Sequence, residues 1–215
     1  RLTNNDDVVE FDGAFSRDGK EVVYATWSDT ALGEIRTIKI GSKRASVVAT
    51  GRGHFVTPQF SPTGSNIIYK KINGGGLLPS TWSADPGIYQ VNRRTQQRRL
   101  VRRDGTHPHF GERSDRLYFS TRHKGSLALA SQNLTSASPE HTGTRVHVFG
   151  EKATGFRLSP NGQLVAIQEG FKVHVTRLPV ATEPRNVGVS VQASPHLTLS
   201  THSGYNIHFS GDSSA

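Results

Sequence analysis

Ten histidines in 215 residues direct attention first to metal chemistry. His107-Pro108-His109 has the His-x-His spacing in which two imidazoles can share one ion. A catalytic metal needs more, a third or fourth carboxylate or imidazole converging on the same point. None is recognisable here, so neither a catalytic residue nor a metal ligand is assigned within these residues. Nucleophilic catalysis fares no better: serines are plentiful, but the Gly-x-Ser-x-Gly turn that exposes a nucleophile is absent. Gly74-Gly75-Gly76 has the composition of a phosphate cradle. A P-loop, however, continues into Lys-Ser/Thr and a helix whose amides hold the anion. Leu77-Leu78-Pro79 follows instead, which predicts an inter-strand loop. Trp27 and Trp82 read as packing residues, because large aromatics dominate core burial. Cysteine is absent, which removes disulfides and thiolate ligands.

The elements that carry these residues repeat. Five segments share a pattern: Ala14-Phe15-Ser16-Arg17-Asp18-Gly19-Lys20, Gln59-Phe60-Ser61-Pro62-Thr63-Gly64-Ser65, His109-Phe110-Gly111-Glu112-Arg113-Ser114-Asp115, Arg157-Leu158-Ser159-Pro160-Asn161-Gly162-Gln163 and His208-Phe209-Ser210-Gly211-Asp212-Ser213. Anchored on Phe15, Phe60, Phe110, Leu158 and Phe209, the separations are 45, 50, 48 and 51 residues. That period, built from four short strands, is the range of β-propeller blades. In each repeat an apolar residue ends one strand, a polar turn follows, and a β-forming run begins the next: Glu21–Ala25, Asn66–Tyr69, Arg116–Phe119 and Leu164–Ile167. Asp18-Gly19 and Asn161-Gly162 supply the positive backbone torsions of tight hairpins. Third strands are predicted at 33–38, 87–91, 127–130 and 172–175, and fourth strands at 45–49, 99–101, 145–148 and 186–189. No segment sustains the i, i+3, i+4 apolar spacing of a helix.

The predicted fold class is therefore all-β, a propeller of four-stranded antiparallel blades forming one domain over 1–215. Blades are expected near 10–53, 54–104, 105–152 and 153–203, with an incomplete fifth at 204–215. A free blade would expose an apolar face and open strand edges. The fifth is thus expected to be completed by later sequence, by the segment before Arg1, or by another polypeptide. Innermost strands line a propeller's channel, and the residues before four anchors are Gln59, His109, Arg157 and His208. They form a candidate binding ring at the channel mouth; the alternative is that they hydrogen-bond between blades, as buried polar groups do.

Hydrophobic residues make up 33% of the chain, with 22 glycines and 10 prolines, a mix suited to short strands and many turns. No apolar run is long enough to span a membrane as a helix, and the first residues lack the apolar core of a signal peptide. The net charge is +9. Arg93, Arg94, Arg98, Arg99, Arg102 and Arg103 fall close together, and such a run can attract phosphates. Their strand-turn-strand setting, without interleaved aromatics, predicts a solvated sheet edge rather than a nucleic-acid site.

The repeat turn resembles the TolB-type propeller motif Phe-Ser-Pro-Asp-Gly-Lys. Phe15–Lys20 matches with Arg17 in the proline place, and Phe60–Gly64 and Leu158–Gly162 keep Ser-Pro. Gly111–Asp115 departs from it. Other segments resemble the N-terminal propeller of large bacterial amidohydrolases: Ala25-Thr26-Trp27-Ser28-Asp29 before Leu32-Gly33, Gly74–Leu77 leading to Trp82-Ser83-Ala84-Asp85-Pro86-Gly87-Ile88-Tyr89, and Asn161–Gly162 through Glu169-Gly170-Phe171 to Leu178-Pro179. This resemblance implies a non-catalytic propeller that shapes access to, or holds, a catalytic domain that hydrolyses C–N bonds. It also implies a divalent metal, zinc by expectation, in that C-terminal domain, with no cofactor in this segment. Two other readings stay open, a TolB-like protein-binding scaffold and the gating propeller of a prolyl-oligopeptidase or tricorn-like serine peptidase. The implied location is the periplasm or beyond. Expected partners are the rest of the same protein or a completing chain, and other proteins.

Overall fold

A computed structural model describes residues 2–3, 7–72, 85–135 and 144–178. Every regular element among them is a strand. The first sheet contains β1 (Val9–Phe15), β2 (Glu21–Ser28), β3 (Leu32–Lys39) and β4 (Ala45–Gly51) in sequential order. The second contains β5 (His54–Phe60), β6 (Asn66–Ile72), β7 (Gly87–Asn92) and β8 (Arg98–Arg102), and the third β9 (Thr106–Phe110), β10 (Arg116–His123), β11 (Ser126–Asn133) and β12 (Arg145–Gly150). A fourth sheet holds β13 (Gly155–Leu158), β14 (Leu164–Glu169) and β15 (Lys172–Arg177). Sequential antiparallel strands in four-stranded sheets are the build of propeller blades, as the repeat predicted. The fourth strand expected at 186–189 and the fifth repeat, including His208, lie outside the described residues, as do Gly74–Gly76 and Trp82. Two compact units are present, residues 1–119 with 131–145, and residues 120–130 with 146–215.

The Ser-centred turn recurs with the same hydrogen bonds. In the first sheet, the Ser16 hydroxyl accepts from Glu21 N at 2.9 Å and donates to Asp18 at 2.7 Å, while Gly19 N donates to Ser16 O. Ser61 accepts from Asn66 N at 3.1 Å, and Ser159 accepts from Leu164 N at 2.9 Å and donates to Asn161 at 2.7 Å. Each serine thus holds the start of the next strand, with glycine in the left-handed position three residues on. Gly111 cannot do this, and an exposed Arg113–Asp115 pair closes that turn instead. Ser61 is 1% exposed, so Ser61→Ala leaves the Asn66 amide without its hydroxyl partner. Urea unfolding is expected to show a loss of about 1 kcal/mol.

Apolar residues from both faces of the central strands pack between neighbouring sheets. Val23, Ala25 and Ile35 of the first sheet meet Phe55, Phe60, Ile67 and Tyr69 of the second in one buried layer. The anchors Phe60, Phe110 and Leu158 are buried, whereas Phe15 is 68% exposed. Phe60 is covered from the side of the preceding sheet, and the described residues supply no such sheet before the first. Strands β1, β5 and β9 lie side by side, which identifies them as the inner edge of their sheets.

The arginine run lies on the outer edge predicted for it, with Arg94, Arg98, Arg99 and Arg103 exposed, but several of its side chains also reach the neighbouring sheets. Arg93 pairs with Glu21 of the first sheet at 2.8 Å and lies 5.1 Å over the Phe60 ring. Arg98 donates to Thr50 O, and Arg99 to Gln90 and to Leu134 O. Arg102 is only 5% exposed; it reaches Asp104 and Thr144 at 2.8 Å and Gln132 at 3.3 Å, and sits 4.3 Å over the Phe119 ring. Only Arg94 and Arg103 of the run remain at the surface without reaching a neighbouring sheet. The reason is geometric: β8 is an outer strand, and its long side chains, with Arg93 of the turn before it, extend along the seams to groups of the neighbouring sheets.

Candidate functional site at the innermost strands

Three residues before their anchors, Asp12, Thr57 and His107 adopt positive φ values of 53°, 50° and 49°. For side chains other than glycine this is a strained conformation, worth on the order of 1 kcal/mol each, and such residues concentrate at ligand clamps. The ladder is interrupted at the same place, between Phe11 and Ala14 in β1 and between Val56 and Gln59 in β5. These are β-bulges, which turn side chains away from the pleat. The Asp12 carboxylate accepts a hydrogen bond from Thr57 N at 2.8 Å, tying β1 to β5 through the two bulges. Further along, Arg17 donates to Gly111 O at 2.8 Å. These bulges interrupt strands expected to be regular. Their signal was present, however: Gly13 follows Asp12 and Pro58 follows Thr57, as Pro108 follows His107, and proline inside a sheet is confined to edges and bulges.

Three of the candidate ring residues are described, and each sits one residue before its anchor at the end of a strand. Gln59 is half-buried on β5, opposite Ile68. His109 on β9 is 4% exposed, its Nδ1 lies 2.9 Å from the His107 carbonyl, and its ring stacks near Tyr118 with centroids 6.1 Å apart. A carbonyl only accepts, so the proton resides on Nδ1. Arg157, on β13 in the other compact unit, is half-buried, and loss of solvation holds its guanidinium below the usual arginine range. The equivalent residue of the first sheet, Ala14, packs against the apolar layer shared with the second sheet.

His107 and His109 do not converge as a ligand pair. His107 is exposed with its Nδ1 beside Thr106, while His109 is turned inward. Among the described residues no three His, Asp or Glu side chains come together, so these residues do not fit a zinc ion. What the inner edge offers is fixed hydrogen-bonding groups on a stitched backbone, suited to holding or guiding a ligand. No helix among the described residues is long and apolar enough to cross a membrane.

A second histidine pairing lies where β2 ends and β5 begins. His54 stacks on Trp27 with ring centroids 3.9 Å apart and planes within 14°. Burial holds the His54 pKa below 6.5. A neutral imidazole favoured by the fold means the unfolded chain binds the proton more readily. Stability is therefore full above pH 6.5 and declines as pH falls through the folded-state pKa. Protonation against the indole also quenches its emission. Titrating fluorescence in a Trp82→Phe background should give a midpoint below pH 6.5 that disappears in His54→Gln.

No family model matches the sequence, and no curated relative does either. Among solved structures, the chain is similar to TolB from Acinetobacter baumannii at 19% identity and a TM-score of 0.60, over 79% of this chain and 41% of that one. It is similar to an oligogalacturonate lyase in complex with manganese at 11% identity and a TM-score of 0.63, over 86% and 55%. A puromycin-hydrolysing peptidase of Mycobacterium tuberculosis matches at 13% identity and a TM-score of 0.58, over 86% and 32%. These likenesses show the β-propeller fold. The chain spans about half or less of the length of each.

Proposed function

We propose that this chain is the non-catalytic propeller of a larger metal-dependent amidohydrolase-like enzyme, shaping the approach to an active site outside it. One observation supports this most directly: the side chains that could do chemistry are committed to structure. His109 is turned inward onto the His107 carbonyl and Tyr118, Asp12 caps the Thr57 amide, and Arg93 and Arg102 close seams. The loop segments resembling the amidohydrolase propeller support the finer assignment. Two of them place a glycine at the start of a third strand, Gly33 and Gly87, where the backbone carbonyls of Gly53 and Arg102 approach closely. On this reading a zinc ion belongs to the catalytic domain, and the intact protein acts at or beyond the periplasm.

The likeness to TolB favours a second reading, a protein-binding scaffold with no enzymatic partner domain. Metal content and hydrolysis by the intact protein separate the two. The first reading expects bound zinc and amide hydrolysis that a chelator abolishes. Metal-free hydrolysis blocked by a serine-directed phosphonate would replace it with the gating propeller of a peptidase. Neither metal nor hydrolysis, with retention of a protein partner, would favour the scaffold.

A further inference from the structure

A groove of about 720 Å³ opens between the first and second sheets, within the unit formed by residues 1–119 and 131–145. Its floor and rims come from the end of β3, the turn into β4, the Gly64-Ser65 turn and the turn between β7 and β8. This volume lies in the range of small-ligand sites, roughly 300–1,000 Å³.

Its charge is one-sided. Glu21 is the one carboxylate in the lining, and Arg93 neutralises it at 2.8 Å while also donating to Gly64 O. That pair forms part of the wall and contributes little net field. Lys39, Arg44 and Arg94 remain, all exposed, and among the described residues no carboxylate lies within ion-pair distance of their side chains. Three uncompensated cations facing one concavity between low-dielectric sheets focus a positive potential there. Hydroxyls and amides of Ser46, Ser65, Asn92 and Gln96 share the same lining.

We propose that this groove binds an acidic oligosaccharide, a sugar chain carrying carboxylate or sulfate groups. The cations select the acidic groups, and the hydroxyl and amide side chains supply hydrogen bonds to ring hydroxyls. The lining contains no aromatic side chain. It therefore lacks the platforms on which nucleobases stack in single-strand binding sites. This assignment is independent of the amidohydrolase reading, since the groove lies on the seam rather than at the inner edge.

Calorimetric titration of the chain tests it with a tetragalacturonate, a sulfated tetrasaccharide, neutral maltotetraose and a short oligothymidylate. Saturable binding is expected for one or both acidic sugars, weakening with added salt, and none for maltotetraose. Combining Lys39→Gln, Arg44→Gln and Arg94→Gln should weaken binding at least about tenfold. Among the described residues no side-chain hydrogen bond or ion pair rests on these three side chains, so the melting temperature should hold. Lys124→Gln, Lys152→Gln and Lys172→Gln together remove the same charge outside the groove and should leave affinity near that of the wild type. The proposal is overturned by an absence of saturable acidic-sugar binding at millimolar ligand, by equal weakening in both triple variants, or by oligothymidylate binding more tightly than either sugar. If carboxylated and sulfated sugars differ, the tighter one identifies the natural acidic group.

Discussion

Replacing Arg102 by methionine should lower the unfolding free energy by about 2–3 kcal/mol, the larger effect expected of any arginine in the run. Its guanidinium is buried against Phe119 and donates to Asp104, Gln132 and Thr144. Methionine preserves much of the stem's packing but leaves those oxygens without their donor. The loss falls short of the roughly 3–5 kcal/mol seen when a buried ion pair is broken. Asp104 is 46% exposed in its side chain and regains water. Arg102→Lys is informative beside it. A single ammonium nitrogen cannot reach acceptors spread around two guanidinium nitrogens, nor lie flat on the ring, so a deficit of about 1–2 kcal/mol should persist although the charge is kept. Arg94→Met, at an exposed site, should change stability by no more than about 0.5 kcal/mol. Equilibrium urea unfolding of the three variants checks the ordering.

Gly87→Ala should be at least as damaging, by about 3 kcal/mol or more. An added Cβ would lie 2.5 Å from the Arg102 carbonyl oxygen and would also overlap the Leu100 side chain. Gly33→Ala meets the Gly53 carbonyl in the same way, with Phe55 behind it at 3.5 Å. Backbone oxygens cannot step aside as a flexible side chain can, so the strands must separate and the overpacking penalty exceeds that of an ordinary core enlargement. Gly13→Ala provides the contrast, since its Cβ would meet only Val22 at 3.8 Å. That variant should fold with stability close to the parent. Thermal melts followed by far-ultraviolet circular dichroism would show the Gly33 and Gly87 variants shifted far down or unfolded, and the Gly13 variant nearly unmoved.

The strands were legible because their signals are local. Val22-Val23-Tyr24, Ile67-Ile68-Tyr69 and Leu117-Tyr118-Phe119 are β-forming runs set off by turns, and every described strand overlaps its expected position. The serine turns were also local, each completed within five residues. The arginines were not. Whether a side chain on β8 meets water or a neighbouring carbonyl depends on how the sheets stack, and Arg98 and Thr50 are 48 residues apart. The periodicity placed Gln59 and His109 just ahead of their anchors, on what are β5 and β9, but could not show which way each faces. The bulges at Asp12 and Thr57, and the matching torsion of His107, lay between these cases: their proline and glycine neighbours were visible, but their common backbone conformation appears only once the three strands are compared.

The central claim is that charged residues here join one blade to the next instead of forming a reactive surface. The Glu21–Arg93 pair tests it most directly, because it connects the first two sheets at 2.8 Å with side chains only 18% and 27% exposed. Unfolding free energies of the parent, Glu21→Gln, Arg93→Gln and the double variant define their coupling. The structure predicts a favourable coupling of about 1 kcal/mol, at the upper end for partly solvated pairs. Additive losses, with coupling indistinguishable from zero, would contradict it.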